Sequence, residues 1–266
     1  MKVERVAIIM HPGKPQALEI GRELSTWLVG RGVDVVNDQP DLVLSLGGDG
    51  TILRAAQHAH ANDAPLLGIN LGTVGYLSEV ELGAERQAIE RIFSGDFEVE
   101  HRMMLECNLR SNNGGEVLNT WVGLNEVLVE RSSRHRLVRF HVRIGGERLA
   151  AFNADGVIVA TPTGSTAYAL SAGGPIVSPR AECLVLVPVS PHMIFSRPFV
   201  LAPDETVEVS VQDGDSASLS LDGRMGCELP GDAAVVVARH SRSLRLVRLS
   251  GPGFIERLRG KLGLPG

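Results

Sequence analysis

Asp49 stands among Gly47, Gly48 and Gly50, directly after the apolar run Leu42–Leu46 and directly before Thr51. Glycines in such a place let the backbone turn sharply and come close to a ligand. A helix starting behind them offers unpaired N–H groups and the positive end of its dipole to an anion. A carboxylate among phosphate-friendly amides can accept a hydroxyl proton or hold a metal ion. Gly47, Gly48 and Thr51 therefore read as a phosphate loop around Asp49, suited to phosphoryl transfer. The alternative is a tight strand-to-helix turn whose aspartate only stabilises the helix start. A P-loop is excluded, because no Gly-Lys-Ser/Thr follows, and the spaced glycines of a dinucleotide fingerprint are also missing.

A second group of reactive types runs from Asn153 through Asp155 to Tyr168. The buried-strand pattern of residues 157–160 is followed by Thr161-Pro162-Thr163-Gly164-Ser165-Thr166-Ala167-Tyr168. A capped helix accounts for one hydroxyl, but Thr161, Thr163, Ser165, Thr166 and Tyr168 exceed that need, so ligand binding is the stronger reading. Ala167, Ala169 and the glycines at 173 and 174 leave room for a flat ligand. A third pair, Asn125-Glu126, interrupts an apolar run between Trp121 and Val129. Buried without partners these two would be costly. Either they sit at a bulge or edge facing water, or they read the hydroxyls and ring nitrogens of a ribose or adenine. The glycine-rich loop 70–76 either presents Tyr76 to a ring or is a plain turn. Arg131, Arg134 and Arg136 form either a solvated loop or a phosphate contact, and His192 and Arg197 are given no catalytic role.

The elements that must hold these residues fall into two rhythms. Up to about residue 94, short apolar runs (6–10, 33–36, 42–46, 66–69) alternate with helical periodicity at residues 17–28, 51–59 and 86–93. This predicts an α/β domain with a mainly parallel, Rossmann-like sheet, whose ligands sit beyond the carboxyl ends of the strands. From about Phe97 strictly alternating runs follow one another across Gly145-Gly146, Asp213-Gly214-Asp215 and Asp222-Gly223, predicting an all-β sandwich with one helical interruption at 165–171. The expected domains are residues 1–96 and 97–249, with the amphipathic tail at 250–266 packing back on the first.

Composition narrows the classes. Hydrophobic residues make up 44% and aromatics 4% of 266 residues, an ordinary soluble pattern. The net charge of -5 argues against a nucleic-acid binder, and most of the positive charge is Arg, with Lys only at 2, 14 and 261. Cys107, Cys183 and Cys227 show no metal or redox spacing, which suggests reduced thiols in a cytoplasmic setting. No secretory leader or bilayer-length apolar stretch is read, so no membrane partner is expected.

Residues 47–51, Asn125-Glu126 and the block from Asp155 to Tyr168, followed by Gly173-Gly174-Pro175-Ile176, resemble the bacterial NAD kinases over roughly residues 6–249. The first motif alone is shared with diacylglycerol and sphingosine kinases, whose fold is of the same NAD kinase/diacylglycerol kinase-like type; the others are more specific. The resemblance implies transfer of the terminal phosphoryl group of ATP, or of polyphosphate, to the adenosine 2′-hydroxyl of NAD, with a divalent cation, normally Mg²⁺. It implies Asp49 as general base with Gly50 beside it against the dinucleotide. Asn125, Glu126, Asp155, Thr163, Thr166, Ala167, Tyr168, Ala169, Leu170 and Ser171 would bind NAD. Arg54, Tyr76, Arg136, Asn153 and Arg224 are weaker candidates, and no metal ligand is assigned. The family's usual homodimer or homotetramer is implied, with the site between domains. Two departures stand out: Arg224 replaces a common Gln, and Met193 and Phe195 occupy positions where small hydroxyl residues are usual. A lipid kinase at a membrane surface and a non-enzymatic dinucleotide sensor are the rival readings.

Overall fold

The computed structural model describes residues 2–72, 75–111, 115–133, 137–192, 196–212 and 214–264. The chain divides into two compact units, Met1–Arg102 with Ser243–Gly266, and Met103–Arg242. The first begins with β1 (Arg5–Met10), α1 (Pro15–Val29), β2 (Asp34–Val35), β3 (Leu42–Leu46), α2 (Asp49–Ala61), β4 (Leu66–Ile69), α3 (Glu85–Phe93) and β5 (Glu98–Arg102). The second holds β6 (Leu105–Ser111), β7 (Val117–Gly123), β8 (Glu126–Arg131), β9 (Val138–Ile144), β10 (Glu147–Ala154) and β11 (Gly156–Ala160). A 3-10 turn at Gly164–Thr166 and the one-turn helix α4 (Tyr168–Ser171) come next. Then follow β12 (Leu184–Val189), β13 (Phe199–Leu201), β14 (Val207–Val211), β15 (Ala217–Leu221), β16 (Arg224–Leu229) and β17 (Ala233–Arg239). The chain returns to the first unit with β18 (Leu244–Arg248) and α5 (Phe254–Leu262).

In the first unit the sheet order is β2-β1-β3-β4-β18-β5, parallel except for β5, which runs antiparallel to β18. Every residue of β3 is buried, as a strand covered on both faces requires. Ala17, Leu24 and Leu28 form the inward stripe of α1, whose Pro15 suits the first helical turn. With Ile89 and Ile92 of α3 they pack on Val6, Leu42, Leu44, Leu67 and Val247. Each fully buried Leu or Ile contributes about 1.5–3 kcal/mol. Helix α2 packs on β1, β3, β4 and β18.

The second unit is a sandwich of two antiparallel sheets, ordered β10-β9-β14-β17-β6-β7 and β13-β12-β11-β8-β15-β16. Both sheets send alternate residues into one core that includes Phe140, Val142, Val209 and Val235 from the first and Val127, Val157, Leu186 and Leu219 from the second. Strand β11 is buried on both faces, because Ala169 of α4 joins Ile158, Ala160, Val185 and Val187 on its outer side.

Boundaries expected at 96 and 249 fall elsewhere in the structure. Strands β5 and β18 pair with each other, and β18 with β4, inside the α/β sheet. The change of rhythm near Phe97 marks the switch to antiparallel pairing, which begins while the chain is still adding to the first unit. The helix expected over 165–171 is broken at Ala167, whose φ of -98° and ψ of -132° are not helical. The apolar run around Asn125-Glu126 is two strands in different sheets, joined by a corner at Leu124-Asn125.

Candidate active site

In the first unit Gly48 caps α2 in extended backbone and Asp49 is the first helical residue. A Cβ on Gly47 would lie 2.2 Å from Thr51 Oγ1, so the turn packs tightly only because that atom is missing. Ser45 Oγ and Thr51 Oγ1 are buried beneath it with no hydrogen-bond partner among the described residues. The Asp49 carboxylate is half-buried and accepts backbone N–H groups from Tyr76 (2.9 Å, Oδ2) and Leu77 (3.2 Å, Oδ1). Gly75 makes this possible: a Cβ there would sit 2.0 Å from Asp49 Oδ1. Ser78 Oγ accepts the Gly75 N–H at 3.0 Å, fixing the same segment from its far side. Tyr76 is raised in pKa by burial and by the Asp49 charge. Arg54, a weaker candidate for phosphate contact, donates from Nη2 to the Met10 carbonyl. Thr73 and Val74 of this loop lie outside the described residues.

In the second unit Asp222 organises the corner. It opens the two-residue hairpin between β15 and β16, where Asp222 and Gly223 both take positive φ (49° and 72°), as this turn demands. Its carboxylate accepts the N–H groups of Leu124 (2.8 Å), Asn125 (2.7 Å) and Glu126 (3.2 Å). The Asn125 carbonyl accepts the Thr161 N–H at 2.8 Å, and a Cβ on Gly164 would lie 2.1 Å from that same oxygen. Glu126 is buried, its Oε2 without a partner among the described residues. Burial, then the Asp222 charge, push its pKa to about 7. Asp222 is itself pushed up by burial, against the pull of its three amide donors and of Arg224. The three amide donors oppose the rise at Asp222, whereas nothing at Glu126 Oε2 offsets its burial.

The hydroxyl-rich run looks different from its sequence. Thr161 Oγ1 donates to the Leu124 carbonyl (2.6 Å) and accepts from the Gly164 N–H (3.1 Å). Ser165 Oγ donates to the Pro162 carbonyl (2.7 Å) and accepts from Val177 N–H (3.0 Å). Thr166 Oγ1 donates to the Thr163 carbonyl at 3.3 Å. The hydroxyls of Thr161, Ser165 and Thr166 thus each help to fold the loop. The Ala169 side chain is buried beside β11; Ala167 and Leu170 are half-buried and Ser171 is exposed. Tyr168 is exposed and lines a groove of about 420 Å³ with Asp155, Arg131, Glu130 and Glu228. Asp155 pairs with Arg131 Nε at 2.8 Å. The Asn153 carbonyl accepts the His192 N–H at 2.8 Å.

Within their units the structure thus gathers Gly47, Gly48, Asp49, Gly50, Thr51 and Tyr76 around one loop. It also joins Asn125 and Glu126 with Thr161 and Gly164 at one corner, and Asp155 and Tyr168 in one groove, while the Thr163 carbonyl holds Thr166. Arg136, Met193 and Phe195 lie outside the described residues. Sequence reasoning missed Asp222 and Gly75: an Asp-Gly dipeptide announces a turn, and nothing local says what its carboxylate will hold. Among the described residues no three His, Cys, Asp or Glu side chains converge as a metal cage.

The family models of the ATP-NAD kinase N-terminal and C-terminal domains match residues 34–97 and 124–249. The chain belongs to the NAD kinase family. It is accordingly a kinase, a phosphotransferase. The NAD kinase of Heliobacterium modesticaldum is 38% identical, across 97% of this chain and 98% of its own. NAD kinase 1 of Streptomyces coelicolor is 39% identical, across 99% of this chain and 87% of its own. Among solved structures, yeast NADH kinase complexed with NADH superimposes with a TM-score of 0.90 at 26% identity, covering 100% of this chain and 89% of that one. An Archaeoglobus fulgidus NAD kinase in complex with ATP gives 0.75 at 27% identity, covering 98% of this chain and 100% of that one. The expected fold, α/β followed by a β-sheet unit, is the fold of this family. No helix among the described residues is long and apolar enough to cross a membrane.

Proposed function

We propose that this family member transfers the terminal phosphoryl group of ATP to the 2′-hydroxyl of the adenosine ribose of NAD, giving NADP and ADP, with Asp49 as general base. The observation that carries the role of Asp49 is its carboxylate, half-buried at the first turn of α2 and aimed by two backbone N–H donors. In the reaction the 2′-oxygen forms a bond to the γ-phosphorus as the bond to the β,γ-bridging oxygen breaks, and Asp49 takes the hydroxyl proton. This fixed carboxylate suits a loose phosphoryl-transfer transition state, in which positioning counts for more than deprotonation. Gly47, Gly48 and Thr51 receive phosphate oxygens, and Gly50 admits the dinucleotide.

Asn125 and Glu126 read the dinucleotide, Asn125 by its amide and Glu126 by a carboxyl that, when protonated, both donates and accepts. Asp155, Thr163, Thr166, Ala167, Tyr168, Ala169, Leu170 and Ser171 complete the NAD-binding set, and Arg54, Tyr76, Asn153, Arg136 and Arg224 are further candidates for substrate contact. The donor set around Asp49 does not fit a protein-built metal cage, but it fits a divalent cation, Mg²⁺, carried on donor phosphates and water. When bound, the cation neutralises charge on the transferring group. We further assign a cytoplasmic homodimer or homotetramer.

The test offers ATP, then polyphosphate, with NAD, with NADH and with a lipid alcohol, and reads NADP(H) or phospholipid. Wild-type chain should form NADP from NAD, and Asp49→Asn should lose turnover while keeping NAD affinity. A chain that phosphorylates only the lipid defeats the proposal, and equal turnover by Asp49→Asn defeats the role of Asp49.

A further inference from the structure

Arg257, on α5, lies far in sequence from every motif discussed above, yet its side chain is 4% exposed. Its guanidinium spreads over three acceptors: Nε donates to the Pro252 carbonyl at 2.8 Å, Nη1 to the Ser78 carbonyl, and Nη2 to Glu79 Oε2 at 2.8 Å. Glu79, 2% exposed, also accepts Arg248 Nη1 (3.0 Å) and the N–H groups of Leu249 (2.8 Å) and Gly251 (3.0 Å). A buried carboxylate with this many donors anchors its segment firmly. The segment is the one that matters for Asp49: Tyr76 and Leu77 donate to its carboxylate, and the next residue, Ser78, carries the carbonyl that Arg257 holds. Asp49's charge is among those acting on Arg257.

We propose that Arg257 is a positioning residue for the phosphoryl-transfer step: it clamps the 76–79 segment from below, so that the Tyr76 and Leu77 amides hold the Asp49 carboxylate in one orientation. This rests on the reading of Asp49 as general base. An arginine is needed because a planar fork reaches three separated acceptors at once, whereas a lysine ammonium holds the Glu79 charge but cannot span them. The clamp acts on the orientation of the base, so its loss appears in kcat and not in substrate affinity.

The experiment measures kcat, KM for NAD and thermal unfolding for Arg257→Lys, Arg257→Met, Asp49→Asn and Asp49→Asn/Arg257→Lys. Arg257→Met leaves Glu79 with one cation fewer and is the variant at risk of not folding; Arg257→Lys keeps that charge and decides the question if it does not. The expected result is a folded Arg257→Lys with kcat lowered about 10- to 100-fold, as misplacing a reacting group by about 1 Å costs about 100-fold. KM should stay within about threefold, and the second substitution should cost less than about twofold in the Asp49→Asn background. A folded Arg257→Lys with wild-type kcat, or an equal loss with and without Asp49, overturns the clamp. Full turnover by Asp49→Asn alone instead overturns the general-base reading, so the two failures are told apart.

Discussion

Gly75→Ala tests the geometry of Asp49 with a single methyl group. The added Cβ would stand 2.0 Å from Oδ1, 2.4 Å from Cγ and 2.5 Å from Oδ2 of Asp49, whereas ordinary contact begins at 3.4 Å. Relieving the closest clash requires a retreat of 3.4 − 2.0 = 1.4 Å by the carboxylate or the loop. That movement breaks the 2.9 and 3.2 Å hydrogen bonds from Tyr76 and Leu77. Hydrogen bonds to a charged group contribute about 1.5–3 kcal/mol each, and a half-buried carboxylate recovers part of this from water. The rate effect is larger in consequence: a displacement beyond 1 Å costs about 100-fold in kcat, or about 2.7 kcal/mol of barrier. NADP formation coupled to an NADP-specific dehydrogenase reads kcat, and circular dichroism confirms folding. Gly48→Ala is the control for folding, because a Cβ there meets nothing within 4 Å. A folded Gly75→Ala chain with kcat within threefold of wild type would refute the argument that this carboxylate must be held in place.

Three other outcomes follow from the same geometry. Glu126 is pushed from 4.5 to about 7, so the folded chain keeps that proton to a higher pH than the unfolded chain. Stability then falls as pH rises from about 4.5 to about 7, by about 3 kcal/mol, and is level above that window. Glu126→Gln should remove this component, read as the difference in urea unfolding free energy between pH 5 and pH 8; identical differences in both chains would reject the assignment. Asp222→Asn leaves one carbonyl oxygen for three amide donors and should cost about 2–3 kcal/mol, lowering Tm by about 4–10 °C. It should also raise KM for NAD through Asn125 and Glu126, and an unchanged Tm would show that the corner stands without it. Chelation with EDTA should stop turnover yet leave Tm within about 1 °C, because no protein-built cage is lost; a large Tm shift would reveal one.

Much of the first unit was legible because its signals are local. Leu42–Leu46 could only be a doubly covered strand, and the glycines behind it could only turn. The spacing of Ala17, Leu24 and Leu28 gave α1 its buried face directly. Pairings across long sequence gaps were not legible: nothing in residues 244–248 says that they sit between β4 and β5. Asn125-Glu126 was rightly singled out as polar among apolar neighbours, but period alone cannot separate one strand from two that meet at a corner. The loop-folding role of the Thr161, Ser165 and Thr166 hydroxyls was hidden for a related reason. Composition counts donors, whereas the fold decides how many remain for a ligand, and most of these serve their own loop. Asp222 and Arg257 were invisible because each acts on backbone far away in the chain.

The position of β18 in the sheet bears on how the protein is made. Residues 103–242 leave the ribosome with all their own partners, whereas the α/β sheet waits for residues 244–248 to fill the gap between β4 and β5. Until then β4 offers a bare row of amides and carbonyls to any passing strand, the hazard of an open edge. A nascent chain stalled before this strand should therefore carry a finished inserted domain beside an incomplete one, and should be the species that chaperones retain.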